Sequence, residues 1–211
     1  MGNIFNPDSK FTHYANKFSD LVTLNLWVVL TCIPLITIGA SSTAMHYVLL
    51  KIYRDELEYS VTKSFFHAFK SNFIQATIIW GIYLLVVAII IVDLYLVNLN
   101  ILTNSLFMKI ILIAVSLVIL LSLTWVFPLQ SRYDNPVLVT IRNAVVIGML
   151  HPVKTVLMCA MMIFPIYLLI TKPSTIPILL ICGFSLSCII CTIFYHFFFA
   201  KNEASNKQET D

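Results

Sequence analysis

Apolar residues in this chain run in long blocks broken by few polar positions. Four blocks, roughly Phe73 to Val97, Leu106 to Gln130, Val153 to Thr171 and Ile176 to Phe199, have the length of a membrane-spanning helix, for which about 20 residues cross a hydrocarbon core of about 30 Å. Backbone polar groups in lipid must be bonded internally, so such a run is a helix unless polar and apolar residues alternate as in a barrel strand. These blocks do not alternate. The connections Asn98 to Ser105 and Lys172 to Thr175 are short and predict two antiparallel hairpins.

The first apolar stretch, Leu21 to Leu50, is too long for one untilted span, since thirty helical residues would measure about 45 Å. Pro34 and Gly39 interrupt it. Proline removes a helical hydrogen bond and clashes one turn back, and glycine lets the chain turn. Either one span ends near Ile38, or two short spans meet at Pro34 to Gly39. Spans of about 16 residues are also short enough for a re-entrant hairpin.

Positive charge separates these alternatives, because Lys and Arg accumulate on the cytoplasmic side of a membrane. With two short spans at the start, eleven of the 13 Lys and Arg fall on one face and Lys109 and Lys172 on the other. A single span makes the division nine to four. The distribution therefore predicts six crossings in three hairpins with both termini cytoplasmic, five crossings being the alternative.

Helical periodicity returns between the spans. Phe65, Phe66, Phe69 and Phe73 recur with Lys63 and Lys70 among them, the pattern of an amphipathic helix in the membrane interface. Phe11, Tyr14, Phe18 and Leu21 repeat it near the N-terminus, and Ile141, Val145 and Met149 repeat it within Val137 to Met149. An internal repeat with an offset of 80 residues would place Ala144 on Ser64; amphipathic helices common to any polytopic protein are the competing explanation.

Composition agrees. Hydrophobic residues make up 59% and charged residues 11%, and the mean hydropathy is +0.91, against roughly 25% charged in soluble domains. The expected fold is an all-α polytopic transmembrane bundle with amphipathic interfacial helices. It forms a single domain over residues 1–200, followed by a polar tail at 201–211. No basic block suits nucleic acid. All five cysteines lie in apolar runs, where reduced Cys behaves as a small hydrophobe and implies no disulfide framework. The N-terminus is too polar for a signal peptide, and Asn6 stands where a myristoylation pattern wants Ser or Thr.

Three words then stand in order: Asn25-Leu26-Trp27, Ile33-Pro34-Leu35-Ile36-Thr37-Ile38-Gly39-Ala40-Ser41, and Phe65-Phe66-His67-Ala68-Phe69-Lys70-Ser71-Asn72-Phe73. Together they make the chain resemble the YesL-like family of bacterial membrane proteins, a domain family of unknown function, from about Phe5 to Phe199. The resemblance implies a bacterial cytoplasmic-membrane protein, often encoded beside sugar-uptake transporters of the ATP-binding-cassette type. It supplies no catalytic residue, ligand or cofactor.

Chemistry is sparse. Five glycines form no P-loop or dinucleotide fingerprint, and no nucleophile, base and orienting group are grouped as acyl transfer would need. Cys188 and Cys191 form a CxxC near His196, but mid-helix it is expected to pack, with Gly183, Ser187 and Cys191 forming a small-residue seam. No enzymatic activity, cofactor or metal is expected. Asn25 is expected to bond across helices or to line a solute route. The Pro34 to Ser41 turn is a hairpin or a binding element of a broken helix. Structural or partner-binding roles are assigned to Asn25, Trp27, Pro34, Thr37, Gly39, Phe69, Asn72, His151 and Pro152. Asp93 and Lys109, equidistant from the Asn98 to Ser105 turn, are candidates for an ion pair, with snorkelling of Lys109 as the alternative. The expected partners are the bilayer and the permease of a sugar importer. The expected function is an accessory or assembly factor for that importer, with small-solute transport in its own right as the alternative.

Overall fold

A computed structural model describes residues 10–98 and 106–208. Among them the chain is helical throughout, with no strand. Helix α1 spans Lys10–Thr31, and a 3-10 turn at Leu35–Thr37 leads into α2, Ile38–Arg54. Then come α3 (Val61–Asn98), α4 (Leu106–Gln130), α5 (Val137–Leu150) and α6 (Pro152–Thr171). A second 3-10 turn at Pro173–Thr175 precedes the single turn α7 (Ile176–Ile178), a π-helix at Leu179–Gly183 and α8 (Phe184–Gln208). The turn expected at Asn98 to Ser105 lies, beyond Asn98, outside the described residues.

Among the described residues, four segments are long and apolar enough to cross a membrane: Leu35–Arg54, Val61–Val97, Leu106–Gln130 and Pro152–Thr171. In the last three less than a third of the most apolar window is buried against protein. Ile74 and Leu85 on α3, Phe107 and Ile113 on α4, and Phe164 and Ile170 on α6 point outward. Water does not tolerate apolar faces of this extent, whereas lipid does. α2 differs, with 56% of its window buried, because it is the centre of a core rather than its wall.

That core joins Leu21, Leu24 and Val28 of α1, Ala44 to Ile52 of α2, Val61, Phe65 and Ala68 of α3, and Cys188 of α8. A second core gathers Ile79 and Tyr83 of α3, Trp125 to Leu129 of α4, Ala144 of α5, Met158 of α6, and Cys191, Tyr195 and Phe199 of α8. α3 and α8 both enter the two clusters, so the two are held together along a pair of helices. α2 ends at Asp55, which takes a left-handed conformation with φ 57° and donates its N–H to the Ile52 carbonyl while Glu56 N–H reaches Lys51 O, closing the last turn.

Three expectations change. Val61 to Phe73 is no separate interfacial helix but the first third of α3, continuous with the span that follows. Ile176 to Phe199 is not one α-helix, because the π-turn interrupts it. The helix boundaries correspond at an offset of 76 residues rather than the 80 expected for an internal repeat: Arg54 to Gln130, where α2 and α4 end, and Val61 to Val137, where α3 and α5 begin, are each 76 apart. This sets Ala144 on Ala68, both buried. The shift from 80 is four residues, about one helical turn, which a periodic pattern does not resolve.

Candidate binding cavity

Several polar residues inside the bundle bind helices to one another. Asn25, fully buried, faces the π-turn. Its Nδ2 donates to the carbonyls of Leu179 (3.1 Å) and Leu180 (2.6 Å). Its Oδ1 accepts from the backbone N–H groups of Phe184 (3.1 Å) and Ser185 (3.0 Å) and from the Ser185 hydroxyl (3.2 Å). A π-turn displaces the regular helical bonding pattern, and one side-chain amide satisfies both sides of the displacement. Of the two expectations for Asn25, the structure displays the bond across helices.

The other words have distinct local tasks. Trp27 donates its indole N–H to Thr62 Oγ1 at 2.9 Å and meets Phe66 edge-on, fixing α1 to the start of α3. Pro34 opens the 3-10 turn. Thr37 Oγ1 donates to the carbonyls of Thr31 (2.5 Å) and Pro34 (2.8 Å), and the hydroxyls of Thr31 and Ser41 pair across the turn at 2.8 Å. Gly39 is helical rather than part of the turn: a Cβ there would lie 2.5 Å from Ala76 O and 2.7 Å from Trp80 Cβ, so its task is the close approach of α2 to α3. Phe69 stacks on Phe65 and meets Phe73 at a tilt. Asn72 holds Ala68 O through Nδ2 and accepts from Gln130 Nε2 at 3.4 Å, while Gln75 Nε2 donates to the Asn135 carbonyl. His151 breaks α5 from α6 with φ −124°, ψ 59°, and Pro152 opens α6.

Asp93 and Lys109 are not joined. The ion pairs among the described residues are His13–Asp55, Lys17–Asp55 and Arg54–Glu56. The expected small-residue seam is divided, for Ser187 borders a cavity while Cys191 packs with its Sγ 3.8 Å from Met158 O.

That cavity is the feature sequence reasoning missed. About 500 Å³ in volume, it lies between the α1–α2 hairpin and the α4–α6 pair, with the beginning of α8 and Trp80 completing the wall. Val28 and Val29 come from α1 and Cys32 from the turn that follows it, Ile38, Ser42 and Met45 from α2, and Leu120, Leu123, Thr124 and Phe127 from α4. α6 supplies Cys159, Met162, Ile163, Pro165 and Ile166, and α8 supplies Phe184, Ser187 and Cys188. The space exists because Cys32, Ser42, Cys159, Ser187 and Cys188 are small where six helices meet. Its polar atoms are largely used: Trp80 Nε1 donates to Leu35 O at 2.8 Å, Thr124 Oγ1 to Leu121 O at 2.7 Å and Ser187 Oγ to Gly183 O at 3.0 Å. Among the described residues, no Asp, Glu, Lys, Arg or His lines it.

Residues 21–94 match the family described as "Protein of unknown function, DUF624". The three sequence words all fall inside that segment, and the match is consistent with the YesL-like resemblance. No curated protein and no solved structure matches the chain.

Proposed function

We propose that this chain is a non-catalytic protein of a bacterial cytoplasmic membrane, with both termini cytoplasmic, that acts by docking on another membrane protein. The permease of a sugar-uptake transporter of the ATP-binding-cassette type is the partner proposed. The observation that carries the reading is how the interior polar groups are spent. Asn25, Trp27, Thr37, Asn72, Trp125 and Thr155 bond neighbouring helices or their own turns, and the cavity wall is apolar. A route for a sugar needs convergent polar groups facing the solute, so transport in its own right has less support than an accessory role. The charge distribution supports the orientation.

Crosslinking in native membranes followed by affinity purification tests the role, with a permease recovered at comparable stoichiometry as the expected result. Its absence, together with sugar uptake by the purified chain in liposomes, would replace this reading by a transporter. Reporter fusions at positions 3 and 205 test the orientation; an extracytoplasmic N-terminus with a cytoplasmic C-terminus would reject it.

A further inference from the structure

We infer that the 500 Å³ cavity between the α1–α2 hairpin and the α4–α6 pair is a binding site for one acyl chain of a membrane phospholipid, which enters sideways from the bilayer while its headgroup stays outside.

Three features choose this occupant. First, water is a poor filling. The volume has room for on the order of ten waters, each needing two to four polar partners, and the wall offers almost none. Among the lining hydroxyls Ser42 alone makes no hydrogen bond, whereas those of Thr124 and Ser187 bond their own helices. Second, the cavity has a side door. Leu120, Ile163 and Ile166 line it and are also 43%, 47% and 48% exposed, on the outward faces of α4 and α6. In a membrane those faces meet hydrocarbon, so the nearest available filling is lipid tail, and an apolar wall left without contact atoms forfeits dispersion energy. Third, the wall holds no cation among the described residues. A free fatty acid would bring its carboxylate to a place with nothing to neutralise it, whereas a phospholipid tail brings no charge inside. The size also falls within the roughly 300–1,000 Å³ of ligand pockets.

The inference rests on the chain spanning a membrane and does not depend on a transporter partner. The test uses the full chain in phospholipid nanodiscs carrying a trace of phosphatidylethanolamine with a photoactivatable diazirine in mid-chain. A parallel sample carries a diazirine fatty acid instead, and adducts are mapped by peptide mass spectrometry. The phospholipid probe is expected to label Met45 and Met162 in the wall, saturably against unlabelled phospholipid, as well as outward residues such as Ile110 and Ile113. Ser42→Phe and Ser187→Phe, which fill the space from α2 and from α8, should each lower wall labelling about tenfold and leave outward labelling unchanged. Wild-type labelling confined to outward residues would overturn the site. Wall labelling that neither substitution alters would reduce it to ordinary surface lipid. Wall labelling by the fatty acid but not the phospholipid would refute the assigned ligand.

Discussion

Replacing Asn25 by Ala removes five hydrogen bonds at once: two donated to Leu179 O and Leu180 O, and three accepted from Phe184 N, Ser185 N and Ser185 Oγ. Interhelical hydrogen bonds in membranes contribute about 0.6 kcal/mol on average, which gives roughly 3 kcal/mol for the set. A larger figure, about 1 to 3 kcal/mol per group, would apply to any π-turn donor or acceptor that finds no new partner. Relaxation of Leu179–Gly183 toward a regular α-turn would recover some of these bonds, so about 3 kcal/mol is the expected loss. It corresponds to a change on the order of a hundredfold in the folding equilibrium. Asn25→Leu separates hydrogen bonding from packing, since it keeps most of the side-chain volume and removes every bond; it should lose nearly as much as Asn25→Ala. Reversible unfolding in mixed micelles with increasing denaturing detergent, followed by circular dichroism, supplies the measurement. Both variants falling within 0.5 kcal/mol of the parent protein would refute the assignment of Asn25 as the fastener of the π-turn.

Three further outcomes follow from named contacts. Gly39→Ala should destabilise by about 1 to 3 kcal/mol, because the added Cβ meets the Ala76 carbonyl and Trp80 Cβ; Gly81→Ala, with nothing within 4 Å, should be neutral or stabilise by up to about 1 kcal/mol, and equal thermal midpoints for the pair would contradict the packing. Trp125→Phe and Thr155→Val each break the buried 2.9 Å bond between the Trp125 indole and Thr155 Oγ1, so a double-mutant cycle on unfolding free energy should show coupling of at least about 0.5 kcal/mol, strict additivity being the contrary result. His46 is fully buried, its Nδ1 3.5 Å from Tyr195 Oη and its Nε2 without a hydrogen-bond partner; His46→Phe should therefore leave unfolding unchanged or raise stability by up to about 1 kcal/mol, and a loss above about 2 kcal/mol would mean that the ring is held by a group not identified here.

How much was legible in the sequence follows from what kind of force decides each feature. Length and hydropathy of the blocks from Phe73 to Thr171 determined three long apolar helices, because backbone satisfaction in lipid is a local requirement that a run of residues meets by itself. Pro34 marked the break between α1 and α2 for the same reason: a missing N–H acts within one turn. Asn25 stood out as a polar residue in an apolar stretch, but its partners lie more than 150 residues away, and no spacing rule connects them. Gly39 was legible as an exception and misread as a turn, since its need for a missing Cβ arises from Ala76 and Trp80 on another helix. Periodicity left the choice between an internal repeat and ordinary amphipathic helices open, because it fixes a face and not a depth. The cavity left no trace in the chain. Cys32, Ser42, Cys159, Ser187 and Cys188 say nothing singly, and they hollow out a site only because tertiary packing brings them together from three helices and the turn after α1.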